Sequence, residues 1–143
     1  MKISQFMTRE VQTVSPDDTI ERAAHLMGEI DAGVLPVRED ERLVGMITDR
    51  DIAIRGVALG HGPDASVRDV MSPEVKYCRD DAEVDEVLRN MAEIQVRRMP
   101  VVDSDKRLVG IISLGDLDRE APAEAGRAMQ GITRPTQQHS QRV

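Results

Sequence analysis

The stretch "RLVGMITDRD", residues 42–51, returns as "RLVGIISLGD", residues 107–116. In both, a β-rich run ends on a hydroxyl, Thr48 or Ser113, with an aspartate three residues later, Asp51 or Asp116. The likeness extends outward. "FMTREVQTVSPDDTIERAAHLM" matches "VMSPEVKYCRDDAEVDEVLRNM", so that Met7 meets Met71, Val11 meets Val75 and Met27 meets Met91, each 64 residues on. "LPV" at 35–37 meets "MPV" at 99–101 at the same offset, and the 42–48 run meets its copy at offset 65. The chain is an internal duplication with one extra residue in the second copy's "DSDK" loop.

Each copy predicts the order β-α-β-β-α. An extended piece, "QTVS" or "KYCR", precedes an acidic turn, "PDD" or "DDA", suited to capping a helix start. Ile20, Ala23, Ala24, Met27 and Ile30 recur at helical spacing, as do Val84, Val87, Leu88 and Met91. Gly33 is expected to end the first helix in a left-handed conformation. Two β-rich runs follow, at 34–38 and 43–47, and at 99–103 and 108–113. A last helix is expected near Thr48 and near Ser113. About fifty residues cannot bury both faces of a sheet. The expected fold class is therefore mixed α/β (α+β), two repeats packed sheet to sheet about a pseudo-twofold axis. The expected domains are a first repeat with its lead-in helix (1–58), a linker (59–65), a second repeat with its lead-in helix (66–120), and a flexible tail (121–143) with one helical turn around 123–130.

Bulk properties exclude several classes. The chain has 143 residues, 31% of them charged, and a formal net charge of −7. That balance disfavours nucleic acid, which a basic surface would serve. Aromatic residues are 1%, too few for a base-stacking platform. No apolar run approaches membrane-spanning length, and the first residues lack a signal-peptide core. A cytoplasmic location is expected, in agreement with a single cysteine, Cys78, read as a small apolar strand residue. His25, His61 and His139 share no ligand-like spacing with each other or with Cys78, so no metal is assigned. There is no nucleophile elbow, P-loop lysine or HExxH helix. Asp49 and Asp51, on a helix start, would point about 200° apart rather than at one reacting atom. No enzyme is expected.

Two readings of residues 48–51 compete. Thr48 as an N-cap with acids in the first turn explains Thr48 and Asp49, Asp51 in part, and Arg50 not at all. A ligand reading uses the hydroxyl and free amides for phosphate, Asp51 for a vicinal diol, and Arg50 for a bidentate phosphate contact. The pair Arg97 and Arg98 likewise serves either a phosphate or an ion pair with a neighbouring acidic helix face.

With "TVSPDDTIERAAHLM", "GVLPV", "RLVGMITDRD", "EVLRNM", "RRMPVV" and "RLVGIISLGD" in order, the chain resembles a tandem pair of cystathionine β-synthase (CBS) domains, a Bateman module, over residues 1 to about 120. The resemblance implies a regulatory fold that binds an adenine nucleotide (AMP, ADP or ATP), with no required cofactor, in clefts between the repeats. It signals by conformational change to an unknown client protein. It also implies site residues: Thr48, Asp51, Ser113 and Asp116 for ribose and phosphate, and Gly33, Val34, Arg97 and Arg98 lining the clefts. Arg50 is a further phosphate candidate, and Val14 and Cys78 give backbone and apolar contact to the base. Modules of this kind pair into disc-like homodimers, with Ile52, Ala53 and Leu117 as contact surface. The alternative is a dimerisation or interaction module with no physiological nucleotide.

Overall fold

A computed structural model of the chain describes residues 1–118, 126, 129, 130 and 132. The expected tail thus lies largely outside the described residues; Gly126, Met129, Gln130 and Ile132 are helical.

The chain opens with a 3-10 turn, Ile3–Gln5. Thr19 then starts the first long helix. Its hydroxyl accepts from the Arg22 amide, and α1 runs Ile20–Ile30. The acids ahead of it serve the turn instead: Asp18 accepts from the Ser15 amide. Ile20, Ala23, Leu26 and Met27 are buried, whereas Ala24 and Ile30 are exposed. Ala24 lies about 90° from the centre of the buried stripe, and Ile30 is the last residue of the helix. The left-handed residue that ends α1 is Asp31 (φ 53°), two positions before the expected Gly33.

Strands β1 (Val34–Glu39) and β2 (Arg42–Thr48) form an antiparallel hairpin in which Val34 faces Thr48 and Val37 faces Gly45. Burial alternates along β2, with Leu43, Gly45 and Ile47 inward, the period-2 pattern of a half-buried strand. Thr48 then caps a short helix, α2 (Asp49–Asp51), which widens into a π turn (Ile52–Gly56) and tightens into a 3-10 turn (Val57–Leu59). Helix α3 (Val67–Val70) follows. The second copy repeats the order with β3 (Cys78–Arg79), α4 (Val84–Ile94), β4 (Arg98–Val102), β5 (Leu108–Ser113) and α5 (Leu114–Asp118). Its sheet has the order β3-β4-β5. In the first copy the counterpart of β3 is a single parallel bridge from Val14 to Val37. The fold is α+β, as expected.

The chain divides into two compact units. One, the Cys78 unit, holds Met1–Arg9, Tyr77–Val101 and the described residues from Val109 onward; the other, the Val14 unit, holds Glu10–Lys76 and Val102–Leu108. Sequence order attaches each lead-in to the repeat that follows it, but packing does not. Ile3 joins the core of Cys78, Val87, Met91 and Ile112, and Val67 and Val70 join that of Val14, Ile20 and Ile47. The bonds that dock them match pairwise. Ile3 donates to the Ala82 carbonyl (2.9 Å) and Ser4 to that of Asp80 (3.2 Å); Val67 donates to Asp18 (2.8 Å) and Arg68 to Pro16 (2.9 Å). A three- or four-residue helix has no core of its own, so its apolar side must enter an existing one.

The glycine of each "LVG" run has a structural cause. Met71 crosses β2 at Gly45, where an added Cβ would stand 2.7 Å from its sulfur. Met7 crosses Gly110 at 2.6 Å. Paired backbone bonds fix the crossings, Met46 with Ser72 and Ile111 with Thr8.

Candidate ligand site

Thr48 and Asp51 hold each other. The Asp51 amide donates to the Thr48 hydroxyl, and the Thr48 amide donates to Asp51 Oδ2, both at 3.0 Å. Ser113 and Asp116 repeat the arrangement at 3.1 and 3.0 Å. These are capping boxes, in which two otherwise orphaned amides find side-chain acceptors. Capping therefore accounts for both aspartates and not only for the hydroxyls. Both carboxylates are half-buried. Each retains Oδ1, which has no partner among the described residues.

A second bond ties each helix start to the strand beside it. Asp49 donates its amide to the Gly33 carbonyl at 2.9 Å, and Leu114 donates to Arg97 at 2.8 Å. With Val34 opposite Thr48 in the hairpin register, the fold gathers Gly33, Val34, Thr48 and Asp51 in the Val14 unit. It gathers Arg97, Arg98, Ser113 and Asp116 in the Cys78 unit.

A Cβ at Gly33 would lie 2.9 Å from Asp49 Oδ2, the end of an exposed side chain. Asp49 Oδ1 accepts from the Arg50 amide at 2.8 Å. Arg50, Arg97 and Arg98 are exposed, and none forms an ion pair among the described residues. Among the described residues, no ion pair represents the alternative in which Arg97 and Arg98 serve a neighbouring acidic face.

Val14 and Cys78 sit deeper than the other candidates, at 2% and 6% exposure. Both the amide and the carbonyl of Val14 are bonded to β1. Burial pushes the Cys78 thiol up to about 12, helped by the charge of Asp80. Its sulfur lies 3.8 Å from the Pro100 carbonyl, and it behaves as a small apolar residue.

Beside Gly33 lies a depression of about 280 Å³ lined by Met27, Gly28, Asp31, Ala32, Gly33 and Asp49. Sequence reading passed over Asp31 and Asp49 as lining residues. Asp49 reads from the sequence as a first-turn acid, and nothing in the order of residues singles out Asp31. Two expectations for a contact surface change. Leu117 is fully buried, since α5 turns it into the core of the Cys78 unit, and Ile52 packs against the core of the Val14 unit. Ile54, Val57 and Leu59 are the exposed apolar residues of that segment, at 51%, 68% and 70%. Among the described residues, no cluster of three or more His, Cys, Asp or Glu could hold a metal, and no helix is long and apolar enough to cross a membrane.

Comparison with known proteins agrees with this architecture. The CBS domain family matches residues 3–56 and again 67–122. The CBS domain-containing protein YhcV of Bacillus subtilis (strain 168) is 41% identical over 133 residues, 92% of this chain and 94% of that protein. The crystal structure of hypoxic response protein I with two coordinated zinc ions superposes with a TM-score of 0.76 at 38% identity, over 84% of this chain and 98% of that one. The structure of CBSX2 in complex with AMP has a TM-score of 0.75 at 29% identity, over 85% and 96%. With two matched copies that fill nearly all the described residues, the chain belongs to the CBS domain family.

Proposed function

We propose that this chain is a non-catalytic regulatory module that binds an adenine nucleotide at its duplicated helix starts. The observation that carries the proposal is the half-buried aspartate of each capping box. Asp51 and Asp116 are each clamped by a backbone amide through one oxygen, which leaves the other to accept from a ribose diol. Thr48 and Ser113 present hydroxyls beside them, and Arg97 and Arg98 are exposed cations with no ion pair among the described residues. The AMP bound by CBSX2, a neighbour of the same fold, supports the choice of ligand. Binding shifts the population of conformers that a client protein in the cytoplasm reads. The chain works as a homodimer, with Ile54, Val57 and Leu59 as its exposed apolar contact.

Calorimetry and thermal denaturation with AMP, ADP and ATP test the proposal. A ligand at a hundred times its dissociation constant should stabilise the fold by about 2.7 kcal/mol. Asp51→Asn and Asp116→Asn keep an amide oxygen for the cap but lose the charge that a diol needs. Each should weaken ligand binding at its own site about tenfold, with little change in ligand-free stability. Absence of a shift with all three nucleotides would leave the interaction module without a ligand as the better reading.

A further inference from the structure

The two copies carry opposite charge at matching places beside the capping boxes. Helix α1 ends on Asp31 and α4 on Gln95, both left-handed, with amides donating to Met27 and Met91. Gly33 and Val34 stand where the second copy has Arg97 and Arg98. Asp49 and Arg50 stand where it has Leu114 and Gly115. Asp31, Asp49 and Arg50 leave one net negative charge; Arg97 and Arg98 leave two positive ones.

The geometry sharpens the contrast. Asp49 Oδ2 lies 2.9 Å from the point where a Gly33 Cβ would be. The second copy has Arg97 at the position where Gly33 lets that carboxylate approach the backbone. Asp31 and Asp49 both line the depression beside Gly33, and no cation does. That depression sits at the carbonyl end of an 11-residue helix, where the helix dipole adds negative potential. Arg50 is adjacent in sequence but is not among the lining residues.

We propose that Asp49 is a specificity determinant: beside Gly33 it makes the Thr48–Asp51 site refuse phosphate. That site then takes an uncharged or cationic nucleoside, while the Ser113–Asp116 site, with Arg97 and Arg98, takes the phosphorylated one. The inference rests on the nucleotide-binding reading above and assigns a ligand class to each half of it.

The test is calorimetry on the full chain with adenosine and AMP as paired probes. In an Asp116→Asn background, which weakens the second site, adding Asp49→Asn should strengthen AMP binding about tenfold and leave adenosine within about twofold. Asp49→Leu, which installs the second copy's residue, should do the same, and the melting temperature without ligand checks that each variant folds. In the same background without the Asp49 change, preference for adenosine over AMP should shrink as salt rises, because the repulsion is screened. In an Asp51→Asn background, Arg97→Ala should weaken AMP but not adenosine. Equal effects of the Asp49 changes on both probes would overturn this inference and leave nucleotide binding standing. If the unmodified chain bound neither probe, the nucleotide reading would fail and this inference with it.

Discussion

Burial among β3, α4 and β4 holds the Cys78 thiol near a pKa of about 12, against an ordinary value of 9.0. The folded state therefore keeps its proton longer than the unfolded state does. The contribution to stability is complete below about pH 9 and is lost as pH rises from 9 towards 12. Denaturant midpoints measured across that range should fall, and Cys78→Val, which copies Val14 of the other repeat, should flatten the fall. The thiol should also resist alkylation at pH 8 until the protein is unfolded. Gly110 gives a second prediction at this scale. A Cβ would stand 2.9 Å from the Thr8 carbonyl as well as 2.6 Å from the Met7 sulfur, so the crossing strand must move. Gly110→Ala should cost about 1–3 kcal/mol. Gly28→Ala, with nothing within 4 Å, is the control and should gain about 0.5–1 kcal/mol because α1 loses a helix-interior glycine. Urea denaturation compares the two.

The segment after Thr48 shows how an element can be built for contact. Its π turn and 3-10 turn rotate Ile54, Val57 and Leu59 outward, while Gly56 stays buried against Ile20 and Val70. Arg55 donates to the Met71 carbonyl at 3.2 Å and so holds the segment to the end of α3. An apolar face that is fixed in place and open to water favours association. Val57→Glu with Leu59→Glu should convert the proposed homodimer to monomer in sedimentation or size-exclusion measurements, with the melting temperature of the dilute chain little changed, since both side chains are exposed. A double variant that still dimerises would move the interface elsewhere. The hairpins were legible because each is two β-rich runs joined by a short polar turn, and that pattern is written in the order of residues. The π turn was not: "DIAIRGVAL" reads as ordinary amphipathic helix, and only the close packing of Gly56 reveals the distortion.

At the scale of the whole molecule, the exchanged lead-ins make the two units depend on distant parts of the chain. Ile3 is fully buried among residues of the second repeat, 75 or more positions away. Ile3→Ala should cost about 2–5 kcal/mol. Hydrogen exchange should locate that loss in α4 and β4, with α1 spared. Val67→Ala should do the reverse. A fragment cut at the sequence boundary, residues 66–120, keeps Val67 and Val70 without their core and lacks Ile3, so it should be markedly less stable than the full chain. Protection that fell evenly over both units would show instead that they unfold as one.

The duplication, the α1 and α4 helices, the two hairpins and the [ST]-x-x-D capping boxes were determined by the sequence alone. The helices, hairpins and capping boxes rest on spacing within a few residues, where helical periodicity, β-rich runs and side-chain-to-backbone bonds act, and the duplication rests on like stretches 64 or 65 residues apart. Tertiary structure decided which core receives Ile3 and Val67, that Leu117 points inward, that Gly45 and Gly110 yield to Met71 and Met7, and that Asp49 stands over Gly33. The physical reason is common to these: burial of apolar surface and steric exclusion act between atoms close in space, and contacts between residues far apart along the chain leave no local pattern to read.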